Sequence, residues 1–586
     1  MVLDEITEGA ELRRAWNDLA LRMERPEVFY TYEWAVAVQR AYGDSRKPLL
    51  FLGYEGASLV SLVALARENN GSGDVVFLTA STADYCDFLS EPARRCEFVA
   101  AVFSELQTRK IGRIILTNLP ADSCSVAAIS AAARKRHYKM HSRTAYLCAR
   151  VILGSVEERS ALKQATTNKK RLRRNFRELE KEGRVCIRHD NQWEQIEPIL
   201  PSFNNAHVAR FLSTGRISNL LWVERRKFLY ELARELSGSG WSVVSRLLVG
   251  EVTVAWNYGF NFAGNWFWYQ PAVESSHPYA DFSPGYCLLS KIVELACDRP
   301  EINVVDLGLG AEDYKDRFAT ANRETLFCEL NRSLAAHLRV VLRDRAAAIA
   351  ETSPRIEGHV RGIISYISRS RARTRDSGLW ELLTGVARRI RRFLFATDEI
   401  LFFEWGGGNQ NRLKLKTVRL DSDLLGAAAI RYADDPAALT FLMRSAQRLR
   451  LGKAQGFALI AADRTPLQFC WVNDFERVER EELQRSLHTP SKNAVMIFDC
   501  FSPASAAGNG FFGEEITALA DQLLTQGRTP WISVDATNQY FRQGIENAGF
   551  TYRFSLRRSR IFFFKTTKNS TSSLGAEKLA SSAPEL

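Results

Sequence analysis

The sequence lacks paired cysteines. Its ten, Cys86, Cys96, Cys124, Cys148, Cys186, Cys287, Cys297, Cys328, Cys470 and Cys500, are scattered singly with no C-x-x-C spacing, and most sit in apolar runs. That excludes a zinc ribbon and a disulfide framework, and the eight histidines show no H-E-x-x-H spacing, so reduced core thiols and no metal are expected. Long hydrophobic runs are lacking as well: nothing approaches the roughly 18 to 20 uncharged apolar residues that cross a bilayer. The opening MVLDEITEGAELRR is acidic and polar where a secretory leader is basic and then apolar, which leads us to expect a cytoplasmic protein.

What is present is an ordinary globular composition, 46% apolar and 25% charged over 586 residues. That length predicts several folding units rather than one. The formal charge of +12 is uneven: from Asn331 to Phe395 there are 14 Arg against 5 Asp and Glu. A second basic cluster, NKKRLRRNFRELEKEG (Asn168 to Gly183), reads as one exposed helix, either a solvated face with i,i+4 pairs such as Arg174 and Glu178 or an anion-binding surface that includes Arg174.

Hydrophobic periodicity divides the chain. Residues 1–150 alternate helix and strand, with LLFLGYEG and SLVSLVALARE as strands around a Gly turn and IGRIILTNLP as a strand ending at Pro120. Residues 151–330 repeat the order: basic helix, long helix, strands WSVVSRLLVG and VTVAWNYGF, aromatic strand NWFWYQP, a helix after SPGY, and strand INVVDLG. Residues 331–395 form a basic helical connector. Within it Trp380–Phe395 separates apolar residues from arginines, and two readings stand: peripheral contact with an anionic membrane, or packing on a neighbouring domain. Residues 396–566 form a further α/β unit, and 567–586 a small, polar, disordered tail.

In the C-terminal unit, strand AVMIFDC (Ala494 to Cys500) runs through the loop SAAGNGFFG into helix EEITALADQLLTQG. A Gly-rich turn at a helix N-terminus suits a pyrophosphate, or is an ordinary turn. The order strand, loop, helix, strand, Asn-started helix resembles the GNAT acyltransferases. That resemblance implies a coenzyme A loop at Gly508, Asn509, Gly510 and Phe511, with Asn538 near the cofactor. Two positions depart from the family pattern: Ser505 stands where Gln or Arg is usual, and Ile545 where a tyrosine acid is usual. Tyr540 is either a substitute acid or a partly buried helix aromatic.

Residues 1–330 resemble the CelD/BcsL-like (BioF2-like) acetyltransferases, related to the FemAB transferases. The resemblance rests on FYTYEW (Phe29 to Trp34), DYCDFL (Asp84 to Leu89), RLRRNFRELEKEG (Arg171 to Gly183), SFNNAHVARFLSTGR (Ser202 to Arg216), WFWYQPAVESS (Trp266 to Ser276), SPGYCLL (Ser283 to Leu289) and DLGLGAEDYKDRF (Asp306 to Phe318). It implies an α/β fold of GNAT-type mixed sheets: a FemAB-like double unit, the connector, then a third GNAT-like domain. Ser283, Pro284, Gly285 and Tyr286 form either a cofactor loop or a plain helix start, with Ser283 as cap and Pro284 in the first turn. Asp306 falls at a strand's carboxyl end, where α/β sheets open crevices. In the FemAB relatives the lysine placed like Lys315, beside Tyr314, contacts phosphates; a surface turn is the other reading.

His207 and Arg210 share a helix face, as base and anion contact or as structural residues. Tyr269 and Gln270 either line an acyl channel or belong to the core. The expected activity is acyl-CoA-dependent N-acyl transfer, with acetyl-CoA or another acyl-CoA as co-substrate. The acceptor amine attacks the thioester directly, because no G-x-S-x-G elbow or Cys–His signature offers a covalent route. The CelD likeness implies polysaccharide biosynthesis and an amino-sugar acceptor. The alternatives are a FemAB-like aminoacyl-tRNA-dependent transferase, the one reading that involves nucleic acid, and a non-catalytic scaffold.

Overall fold

A computed structural model describes the chain except for residues 311–312, 352–394, 408–414, 476–490, 492, 508–509, 562–563 and 572–586. The amphipathic segment 380–394, the loop residues Gly508 and Asn509, and the end of the tail therefore lie outside the described residues. The chain forms two compact units, one from Met1–Arg210, Ile217–Glu274 and Pro278–Thr352, the other from Phe211–Arg216, Ser275–His277 and Ser353–Leu586.

The first unit is built on one mixed sheet. Its strands are β1 (Val2–Leu3), β2 (Arg46–Glu55), β3 (Ser58–Glu68), β4 (Val75–Phe77), β5 (Leu89–Ser90), β6 (Arg113–Pro120), β7 (Lys139–Ile152), β8 (Val185–Asp190), β9 (Ser242–Val249), β10 (Val252–Phe262), β11 (Asn265–Val273), β12 (Val304–Asp306) and β13 (Ala321–Asn331). Their order is β1-β2-β3-β4-β6-β13-β7-β12-β11-β10-β9-β8, with β5 on β3. That order mirrors itself about the β13–β7 pair, and the parallel pairs β4·β6 and β11·β12 occupy equivalent places.

The expectation of two similar halves has a consequence that hydrophobic pattern does not reveal: the halves exchange strands. β7 ends the first half yet pairs with β12 of the second, and β13 ends the second yet pairs with β6 of the first. The two halves are one sheet, and β7 runs across position 150.

β11 shows how alternation builds this core. Successive strand side chains point to opposite faces, so Trp266 and Trp268 enter the cluster beneath the helix Pro284–Cys297. Phe267 and Tyr269 turn the other way and meet Phe29, at 5.4 and 6.0 Å between ring centroids. β11 pairs with β12 only from Asn265 to Phe267. The pairing stops there because β12 ends at Asp306, while β11 runs on to Val273.

The second unit carries β14 (Phe395–Trp405), β15 (Lys416–Arg419), β16 (Gln455–Ile460), β17 (Pro466–Asp474), β18 (Ala494–Phe501), β19 (Thr529–Asp535), β20 (Phe550–Ile561) and β21 (Phe564–Thr571), in the order β15-β16-β17-β18-β19-β14-β20-β21. β18 and β19 are parallel and pair from Ala494 to Ile497, parting beyond it. The helices Phe511–Thr525 and Gln539–Ala548 pack over that opening and share a core with both strands. β21 reaches Thr571, five residues past position 566.

Candidate active site

The carboxyl end of β12 gathers buried charge that both halves supply. After β4, Ala80 and Ser81 take left-handed backbone (φ 48° and 58°), an arrangement that costs non-glycine residues of order 1–3 kcal/mol each. The turn delivers the Thr82 carbonyl to Tyr269, whose hydroxyl donates to it at 2.5 Å, and sends Asp84 inward against the chain that follows β12. A Cβ built on Gly308 (φ +70°) would lie 2.7 Å from Asp84 Oδ2, so glycine is required there for backbone conformation and close approach alike.

Asp84 is the residue that sequence reading missed as a site. Burial pushes its carboxyl up to about 7 and Asp306 pushes the same way, while Lys315, Arg225 and the backbone N–H of Leu309 pull it back. A buried carboxyl held near neutrality is an arrangement typical of proton-transfer groups. The available signal was an acid set in the apolar stretch around DYCDFL.

Asp306 stands at the end of β12, as expected, but it faces inward with 1% exposure. Its Oδ2 accepts from the Tyr85 hydroxyl at 2.9 Å and pairs with Arg150 at 3.2 Å; its Oδ1 accepts from the Gly308 N–H at 2.9 Å. It is a tie between the halves. Lys315 is 4% exposed, and its ammonium donates to the Leu309 carbonyl at 2.6 Å. The surface-turn reading of Lys315 is therefore corrected: the one-turn helix Asp313–Asp316 folds it back under the loop. Tyr314 also lines this corner, accepting from the Trp268 indole N–H at 3.2 Å. Lys315→Ala should lower stability by about 2 kcal/mol, because a charge-assisted bond is lost and Asp84 loses its nearest cation; urea unfolding measures this.

His207, Gln270 and Tyr269 are brought together, in a buried chain. Arg225 can only donate, and it donates to Gln270 Oε1 at 2.9 Å and to the Tyr269 hydroxyl at 2.8 Å. That network orients the Gln270 amide so that its nitrogen faces His207 Nε2 at 2.6 Å, which must accept. The ring is thus neutral, with Nδ1–H directed at Ser218 Oγ, 2.8 Å away. With 2% exposure and Nε2 accepting from the Gln270 amide, His207 sits inside this buried chain. Arg210 lies at the edge, donating to the Pro271 carbonyl at 3.4 Å.

The SPGY motif opens the helix Pro284–Cys297, with Pro284 in its first turn. Ser283 stands at the N-cap position in left-handed backbone (φ 50°, ψ 56°), and its side chain makes no capping hydrogen bond. Gly285 meets a packing need: a Cβ there would lie 2.9 Å from Val273 at the end of β11, so the helix start abuts the carboxyl end of that strand. Cations gather at this helix start. Arg171 reaches Ser283 Oγ at 3.4 Å, Arg317 lies over the Tyr286 ring at 5.9 Å, and Lys169 donates to the Arg317 carbonyl at 2.7 Å. The dipole of a 14-residue helix adds attraction for an anion. Arg174 is exposed farther along the basic helix Lys170–Glu182, where its charge helps hold the Glu178 carboxyl below its ordinary range, after the closer Lys181.

The second unit has a cleft of about 750 Å³ where β18 and β19 part, lined by Gly510, Phe511, Tyr540 and Cys500 among others. Asn538 does not line it: its side chain caps the helix Gln539–Ala548 by accepting from the Phe541 N–H. Among the described residues this lining holds Glu514 and no Lys or Arg, so a phosphate there would depend on backbone N–H groups. Gly510 (φ +79°) has open space around it, so Gly510→Val is penalised by backbone conformation rather than by a clash. We expect that variant of the full chain to unfold at a Tm a few degrees lower; calorimetry checks it.

Residues 167–316 match the family model described as an acetyltransferase (GNAT) domain. That stretch is a GNAT-type acyltransferase domain by this match, and it includes Arg171, the helix start at Pro284, Asp306 and Lys315, whereas Asp84 and Arg317 lie outside it. Among solved structures the chain is similar to FemX (9% identity, 56% of this chain and 96% of that one, TM-score 0.39) and to L-PGS from Bacillus licheniformis (12%, 53% and 96%, 0.35). It is also similar to a tandem GNAT protein from the clavulanic acid biosynthesis pathway (12%, 56% and 97%, 0.33). No curated protein matches it. Among the described residues no group of three or more His, Cys, Asp and Glu is placed to hold a metal ion, and no helix is long and apolar enough to cross a membrane.

Proposed function

We propose that the first unit is an N-acyltransferase that takes its acyl group from an acyl-CoA, acetyl-CoA being the simplest, and passes it to the amine of a saccharide or saccharide precursor. The observation that carries this reading is the cationic start of the Pro284–Cys297 helix, which begins inside the stretch that matches the GNAT model. Acyl-CoA supplies an activated thioester. Arg171, Arg317 and Lys169 would hold its phosphates. Asp84, whose carboxylate form Lys315 and Arg225 favour, takes the proton that the acceptor amine must lose. Tyr269, held by Arg225 and the Thr82 carbonyl, forms the apolar-sided wall.

A second reading, an aminoacyl-tRNA-dependent transferase, is favoured by one observation: Lys170, Arg171, Arg173, Arg174 and Arg177 are all exposed on a single helix, which suits an RNA backbone. Thermal unfolding separates the two. Acetyl-CoA at about 100 times its Kd should stabilise the chain by about 2.7 kcal/mol. Stabilisation by aminoacyl-tRNA alone would replace the first reading with the second, and stabilisation by neither would leave a scaffold.

A further inference from the structure

β17 and β18 carry one cysteine each, and the strand register decides that the two meet. Phe469 pairs with Phe501 and Trp471 with Phe498, so the single residue Cys470 faces two residues, Asp499 and Cys500. This is a β-bulge, and within it Asp499 takes left-handed backbone (φ 46°), which residues other than glycine seldom adopt. Arg448 and Arg444, from the helix Pro436–Leu451, bind the Asp499 carboxylate and hold the bulge in place. The extra residue turns Cys500 toward Cys470, with their sulfurs 3.1 Å apart. A carboxyl completes the group: Glu515 is fully buried, and its Oε2 lies 3.1 Å from Cys470 Sγ. The environments of the two thiols differ. Cys470 is buried, whereas Cys500 is half-buried and forms part of the lining of the second-unit cleft.

We propose that Cys470 and Cys500 form a reversible disulfide site, in which Cys500 is the thiol that meets an oxidant from the cleft, Cys470 is the resolving thiol and Glu515 relays its proton. The oxidant is a hydroperoxide, hydrogen peroxide being the simplest. Cys500 sulfur attacks one peroxide oxygen, the O–O bond breaks, and a sulfenic acid and one water are produced. Cys470 sulfur then attacks the Cys500 sulfur; the S–O bond breaks, and the thiol proton passes through Glu515 to the departing hydroxide as a second water. Two thiols are oxidised and one peroxide is reduced. The sulfurs need close by only about 1 Å to reach bonding distance. The expectation of reduced core thiols does not extend to this pair.

Treatment of the full chain with one equivalent of hydrogen peroxide, followed by alkylation and peptide mass mapping, tests this. The expected product is a peptide containing Cys470 joined to one containing Cys500, lost on treatment with dithiothreitol. Cys500→Ser should leave Cys470 alkylatable after the same treatment, and Glu515→Gln should slow formation of the linked peptide about tenfold while far-ultraviolet circular dichroism stays unchanged. Oxidation confined to the exposed Cys96, Cys124 and Cys186, or a Cys500 sulfinic acid with Cys470 still reduced, would overturn the site. An unaltered rate in Glu515→Gln would overturn the role given to the carboxyl.

Discussion

Asp84→Asn is expected to lower kcat/KM for CoA release in the presence of an amino-sugar acceptor by about 10²- to 10⁴-fold, the range for loss of a general base. Only the carboxylate accepts a proton. Since burial and Asp306 raise the Asp84 carboxyl to about 7, wild-type kcat/KM should rise with pH through about 7 and level off above it, and the rising limb should vanish in the variant. The same shift makes a statement about stability. Folded Asp84 keeps its proton up to about 7, while the unfolded residue loses it near the ordinary 3.8. Between those values the folded state binds more protons, so this residue's contribution to stability falls as pH rises through the window. Asp84→Asn should therefore be more stable relative to wild type at pH 8 than at pH 4. Loss of activity with the pH limb intact would move the proton-accepting role elsewhere.

Arg323→Ala is expected to cost about 3–5 kcal/mol in urea unfolding, the range for removing one partner of a buried ion pair. Arg323 on β13 pairs with Glu27, 296 residues away, and both are at least nine-tenths buried. Arg323 also lies over the Tyr85 ring at 4.6 Å, and Tyr85 in turn holds Asp306. Burial already raises Glu27 to about 7, with Arg323 pulling it down and Asp306 pushing it up, so loss of Arg323 raises it further. The penalty should be smaller at pH 6, where Glu27 accepts a proton, than at pH 8. Glu27→Gln combined with Arg323→Ala should recover part of the loss. Equal penalties at both pH values would mean that Arg323 acts through packing alone.

The contrast between these two sites shows what pattern reading reaches. The ending of INVVD at Asp306, the Pro284 helix start and the Gly turn between β2 and β3 are local events, and local residue chemistry specifies them. Which way Asp306 and Lys315 face is not local. It depends on Tyr85, Arg150 and the Leu309 carbonyl, some of them more than 150 residues away, and no spacing encodes such partners. His207 was legible as a helix histidine, but its neutral state follows from Arg225 through Gln270, two side chains from other elements. Asp84 was hidden for a similar reason: its delivery depends on left-handed Ala80 and Ser81, which carry no Gly or Asn signature. The strand exchange of β7 and β13 escaped because periodicity identifies a strand's faces and never its neighbours.

The most direct measurement is calorimetric titration of acetyl-CoA into the full chain, alongside a variant carrying both Arg171→Glu and Arg317→Glu and a second carrying Gly510→Val. Both reversed arginines are exposed, so the fold should tolerate them. The expected result is saturable binding by wild type, a loss of at least about tenfold in affinity on charge reversal, since each lost phosphate contact of this kind is worth about 1.5–3 kcal/mol, and little change in that binding for Gly510→Val. Unchanged affinity in the charge-reversed chain, with binding abolished by Gly510→Val, would contradict the assignment and place the donor in the second unit.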